Sequence, residues 1–85
     1  MTHPVLSILS ALIAIPSTFP PGNTAAIGAY AADRLEKAGY RVQILHRDRP
    51  QIANVVAERD GAAPGPSLMF NAHADTVGIG ELAAW

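Results

Sequence analysis

Apolar residues near the start of the chain recur with a helical period. Val5, Ile8, Leu9, Leu12 and Ile13 fall on one stripe. Pro4 is tolerated in a first helical turn, whereas Pro16 forces Ile15 out of the helical region, so the predicted helix runs from about Pro4 to Ala14. Thr18-Phe-Pro-Pro-Gly-Asn23 reads as a loop ending in Asn23, an N-cap for a second helix. That helix carries Ile27, Tyr30, Ala31, Leu35 and Ala38 as its buried stripe. Asp33 and Lys37 form an i,i+4 pair on its other side, and Gly39 supplies its stop.

After Gly39 the period changes to alternation. Tyr40, Val42 and Ile44 face one way and Arg41 and Gln43 the other, which is the pattern of a half-buried strand. Beyond Pro50, Ile52 to Arg59 reads as a second strand, and Asp60-Gly-Ala-Ala-Pro-Gly-Pro66 is the strongest turn signal in the chain. Leu68 to Ala72 reads as a third strand. The pattern predicts that residues 52–59 and 67–72 pair antiparallel through the Gly/Pro loop, with the first strand joining the same sheet. The fold class is therefore α/β, two helices followed by about three strands, with a sheet that is incomplete.

Composition narrows the function classes. The chain has 85 residues, which bounds it to one domain at most. A domain of this size buries only about 60–65% of its unfolded surface. With 49% hydrophobic residues and no cysteine, the core must come from packing alone. Six Lys+Arg against seven Asp+Glu give a formal charge of -1, with no basic stripe, so nucleic acid is not an expected partner. Val5 to Ile15 is too short and serine-rich to span a bilayer, and no basic residue precedes it as in a signal peptide. No membrane partner is expected, and a cytoplasmic location is.

The densest chemistry lies in Ser67-Leu-Met-Phe-Asn-Ala-His-Ala-Asp-Thr-Val77, where an apolar run ends in His73 and Asp75. An imidazole binds a divalent metal through one ring nitrogen and needs a partner on the other to fix its tautomer, a role open to Asp75. In open α/β sheets such groups collect beyond the carboxyl ends of strands. A His-x-Asp triplet by itself is commonplace, and a solvated hydrogen-bonded pair accounts for most of them. His3, His46, Asp48, Glu58, Asp60 and Glu81 are the remaining candidate donors. His46 reads as a solvated strand-end residue, and Glu81 as a helix-start or surface carboxylate.

Order along the chain adds a resemblance. Leu9-Ser-Ala-Leu-Ile-Ala-Ile-Pro-Ser-Thr18, Pro21-Gly-Asn23, Ala31 to Val42, Asn54-Val-Val-Ala57 and His73-Ala-Asp-Thr-Val77 follow one another as near the start of M20-family metallopeptidases and amidohydrolases. That family includes acetylornithine deacetylase, succinyl-diaminopimelate desuccinylase, aminoacylase and carboxypeptidase G. The resemblance spans nearly the whole chain. It implies the N-terminal part of a zinc-peptidase-like three-layer sheet domain. His73 matches a zinc ligand, and Asp75 matches the aspartate that steadies that histidine and is counted among the catalytic residues. The complete site of the family holds two zinc ions, with cobalt and manganese as alternatives. A metal-activated water there cleaves the amide bond of an N-acyl amino acid or small peptide.

A catalytic zinc takes about three protein ligands. The bridging aspartate, the Glu-Glu pair and the late histidine of the family have no match here, and no substrate-binding residue is identified. The expectation is a partial catalytic domain, inactive by itself and weakly stable. The downstream catalytic half and the dimerisation domain are absent, and homodimerisation is compatible with the complete protein. The alternative is a truncated, inactive α/β fragment or partner-docking module.

Overall fold

The computed structural model describes residues 3–85. Helix α1 spans Pro4–Ala14, and the His3 side chain accepts a hydrogen bond from the Val5 amide as its N-cap. The short strand β1, Thr18–Phe19, leads to helix α2, Ala25–Lys37. Strands β2, Arg41–Leu45, and β3, Asn54–Glu58, follow, then β4, Thr76–Val77, and a 3-10 turn at Leu82–Ala84. Two two-stranded sheets result: β2 with β3 antiparallel, and β1 with β4 parallel.

Local chemistry sets the ends of α2. Its N-cap is Thr24 rather than the expected Asn23, yet the Asn23 side chain still accepts the Ala25 amide at 3.1 Å, one position earlier than a cap would. Thr24 is withdrawn from that task because its hydroxyl is used elsewhere. It accepts the Ala53 amide at 2.9 Å and faces the Ala53 carbonyl at 3.4 Å, while the Thr24 amide donates to Gln51 O at 2.9 Å. One residue thus ties the start of α2 to the approach to β3. At the other end Tyr40 N donates to Leu35 O and Gly39 N to Glu36 O, the Schellman pattern, with Gly39 at φ 96°. Asp33 and Lys37 make the expected pair at 2.9 Å.

α2 packs on one face of the β2–β3 ribbon. The register sets Val42 opposite Ala57 and Ile44 opposite Val55. Val55 and Ala57 are half-buried while Asn54, Val56 and Glu58 face solvent, as period-2 alternation requires. The buried apolar core is small: Ile27, Ala32 and Ala53 among the described residues. Gly28 lets the helix approach, since a Cβ there would meet the Ala53 Cβ at 2.7 Å.

Two expectations are corrected. Leu68 to Ala72 forms no strand, and of the predicted strand at 52–59 residues 54–58 pair with β2 instead of with it. A ladder needs a neighbour, and the Asp60–Pro66 loop carries the run away from the ribbon rather than back along it. Leu68, Met69 and Phe70 are left 80%, 85% and 89% exposed. The stripe of α1 is also uncovered in part: Val5, Leu9 and Ile13 are exposed, and only Ile8 and Leu12 of the stripe are half-buried.

These surfaces make the chain expanded. It exposes 7410 Å², where a compact monomer of 8.9 kDa exposes about 4800 Å². Its radius of gyration is 15.4 Å, against about 12 Å for a compact domain of this length. The architecture is a small α/β unit with incomplete sheets, as the pattern of elements predicts. No helix among the described residues is long and apolar enough to cross a membrane.

Candidate functional site

His73 and Asp75 lie just before β4, at the end of the apolar run. The structure brings them together: His73 Nδ1 is 2.8 Å from the Asp75 carbonyl oxygen and 3.2 Å from Asp75 Oδ1. Both oxygens are acceptors only, so Nδ1 is the nitrogen that carries the proton, and in the neutral ring Nε2 holds the lone pair. The imidazole is 84% exposed and the carboxylate 47%. An exposed imidazole whose Nδ1 is engaged by a backbone carbonyl, with a carboxylate close by, is an arrangement that suits a metal ligand.

The loop that presents the pair is held from α1's side of the molecule. β1 and β4 set Thr18 beside Thr76 and Phe19 beside Val77. Ser17, which is buried, donates its hydroxyl to Ala74 O at 2.8 Å, and Ser17 O accepts the Thr76 amide at 3.0 Å. An open, largely apolar cleft runs from His73 and Asp75 past Phe19 to Ile27, Ala53 and Val55. The pair therefore lines an open concave surface.

The other candidate donors are elsewhere. The His3 ring caps α1, and the His46 ring lies 3.0 Å from Ile52 O. Asp60 and Glu58 pair with Arg41 at 3.2 and 3.7 Å. Glu81 is the N-cap residue of the 3-10 turn, in line with the helix-start reading. No group of three or more His, Asp or Glu side chains converges among the described residues. The donor set present fits at most one corner of a divalent-metal site: one imidazole nitrogen, with its other nitrogen bonded to the Asp75 carbonyl.

Sequence reasoning did not single out Ser17 or Thr24. Their partners lie 57 and 29 residues away, so neither has a local signature of its contact. The one available signal was a serine directly after a helix-ending proline.

Comparison with known proteins yields a consistent picture. The chain is similar to succinyl-diaminopimelate desuccinylase of Methylorubrum extorquens (strain PA1), with 38% identity over 86 residues that cover 98% of this chain and 21% of the relative. It is also similar to succinyl-diaminopimelate desuccinylase of Methylorubrum populi, with 39% identity over 83 residues, covering 94% of this chain and 20% of the relative. The chain spans about a fifth of the length of these curated relatives. No protein-family model matches it, and no solved structure does.

An α/β unit whose His-x-Asp loop lines an open cleft is thus matched over almost its full length to two desuccinylases. It is an N-terminal segment of the M20 family.

Proposed function

We propose that this chain supplies one metal-binding corner of a zinc-dependent amidohydrolase that removes a succinyl or similar acyl group from an amino acid. The observation that carries the reading is the engagement of His73 Nδ1 by Asp75, which leaves Nε2 as the outward donor. The identity to two desuccinylases supports the substrate class.

In this reading His73 Nε2 is a ligand and Asp75 acts on the metal through the imidazole. The Asp75 carbonyl oxygen accepts the hydrogen bond from Nδ1–H, which fixes the ring plane, and the Asp75 carboxylate 3.2 Å away raises the basicity of Nε2. A bound zinc supplies Lewis-acid polarisation of the amide carbonyl and a water of lowered pKa. The further ligands and the general base belong to parts of a complete protein outside residues 1–85. Zinc is the first choice of metal, with cobalt or manganese able to use the same nitrogen donor. The domain assignment, a partial catalytic domain completed by further chain and by dimerisation, rests on the same resemblance.

A second reading has its own support. The exposed Leu68–Phe70 run and the lack of a three-donor cluster among the described residues suit an inactive fragment that docks on a partner. The deciding experiment is succinate release from N-succinyl-diaminopimelate by the complete gene product, before chelation, after chelation and after zinc is restored. Zinc-dependent release supports the hydrolase. A folded product inactive on this substrate and on other N-acyl amino acids under every metal supports the docking module.

A further inference from the structure

We propose that Ser17 is a positioning residue that holds the His73–Asp75 pair in its metal-binding geometry, an inference that rests on the zinc-hydrolase reading above. Ser17 is 3% exposed. A buried hydroxyl costs stability unless it is hydrogen-bonded, and this one has a single well-formed partner, Ala74 O at 2.8 Å. Ala74 is the residue between His73 and Asp75.

The same residue grips the loop a second time, because Ser17 O accepts the Thr76 amide at 3.0 Å. The two bonds straddle Asp75. They fix the peptide planes from which both the carboxylate and the Asp75 carbonyl reach His73 Nδ1. Nothing on the other side of the loop does this, since Leu68 to Ala72 form no ladder and are exposed. Pro16 restricts the backbone on the Ser17 side through its own fixed φ and its limits on Ile15. The clamp is thus anchored on a stiff segment at the end of α1, while the loop it holds has few other restraints.

Only the hydroxyl bond depends on the side chain. Replacing Ser17 with alanine keeps the backbone bond to Thr76, and Ala74 is half-buried, so water can take over its carbonyl. The fold is therefore expected to survive Ser17→Ala while the loop loosens. Loss of an orienting hydrogen bond around a metal ligand typically weakens metal affinity by about 10- to 100-fold.

The test compares Ser17→Ala, Ser17→Thr and His73→Ala in the complete gene product, reading the zinc dissociation constant, the visible spectrum of the cobalt-substituted protein and the melting midpoint. The expected result is a zinc affinity for Ser17→Ala weakened roughly 10-fold or more, an altered cobalt spectrum, a nearly unchanged midpoint, and recovery in Ser17→Thr. Should Ser17→Ala fail to fold, Ser17→Cys, with similar volume and a weak donor, carries the same comparison. Wild-type zinc affinity and cobalt spectrum in the serine variant, alongside metal loss in His73→Ala, would overturn the role of Ser17 and leave the zinc reading intact. Full metal retention in His73→Ala would remove both.

Discussion

Gly28 of α2 lies against Ala53 so closely that a Cβ on residue 28 would fall 2.7 Å from the Ala53 Cβ. The neighbour is fixed to backbone and cannot rotate away. Gly28→Ala gains about 1 kcal/mol in helix propensity, but overpacking costs about 1–3 kcal/mol. The packing term wins, and urea unfolding is expected to show a net destabilisation. A variant as stable as wild type would mean that α2 and the segment leading into β3 are not in this contact.

Gly39 requires its conformation rather than its space. Its φ of 96° is one that L side chains rarely adopt, and no atom stands near its missing Cβ. Gly39→Ala is expected to lower stability by about 1 kcal/mol. Gly65, with an equally open Cβ position and no positive φ, is the control, and Gly65→Ala should be neutral or slightly stabilising. Equal effects at the two positions would contradict the Schellman end of α2.

Thr24 is buried and exchanges hydrogen bonds with Ala53. Thr24→Val preserves shape but strips the buried Ala53 amide of its acceptor, at a cost of about 1–3 kcal/mol. Hydrogen exchange at the Ala53 amide should accelerate in the variant while that at Tyr40, bonded to Leu35 O, changes less. Unchanged protection at Ala53 would show that the threonine latch is not formed.

The exposed run Leu68 to Phe70 predicts the behaviour of the 85-residue chain on its own. It should bind a hydrophobic dye, self-associate on size exclusion and show no amide protection from 68 to 72. A cooperative, monomeric chain with protected amides in that run would contradict the open surface described here.

Much of the local structure was legible because it is set by neighbours in sequence. Pro4 and Pro16 bound α1 as expected, the helix running Pro4–Ala14. Gly39 ends α2, and alternation around Val42 and Ile44 marks β2. Asn23 misled by one residue because Thr24's tertiary bonds to Ala53 decide where the cap falls. The apolar run at 68–72 has strand composition, yet composition does not supply a pairing partner. The site shows the same divide. His73 and Asp75 meet through two-residue spacing, whereas Ser17 reaches Ala74 across 57 residues and carries no local signature.

The central claim is that His73 is a metal ligand, and metal content tests it most directly. The complete gene product and its His73→Ala variant, purified in parallel without chelator, are to be compared by inductively coupled plasma mass spectrometry. The account predicts zinc in the wild-type protein and a clear loss of zinc per chain in the variant, with the fold retained by circular dichroism. Equal metal content in the two proteins would contradict it.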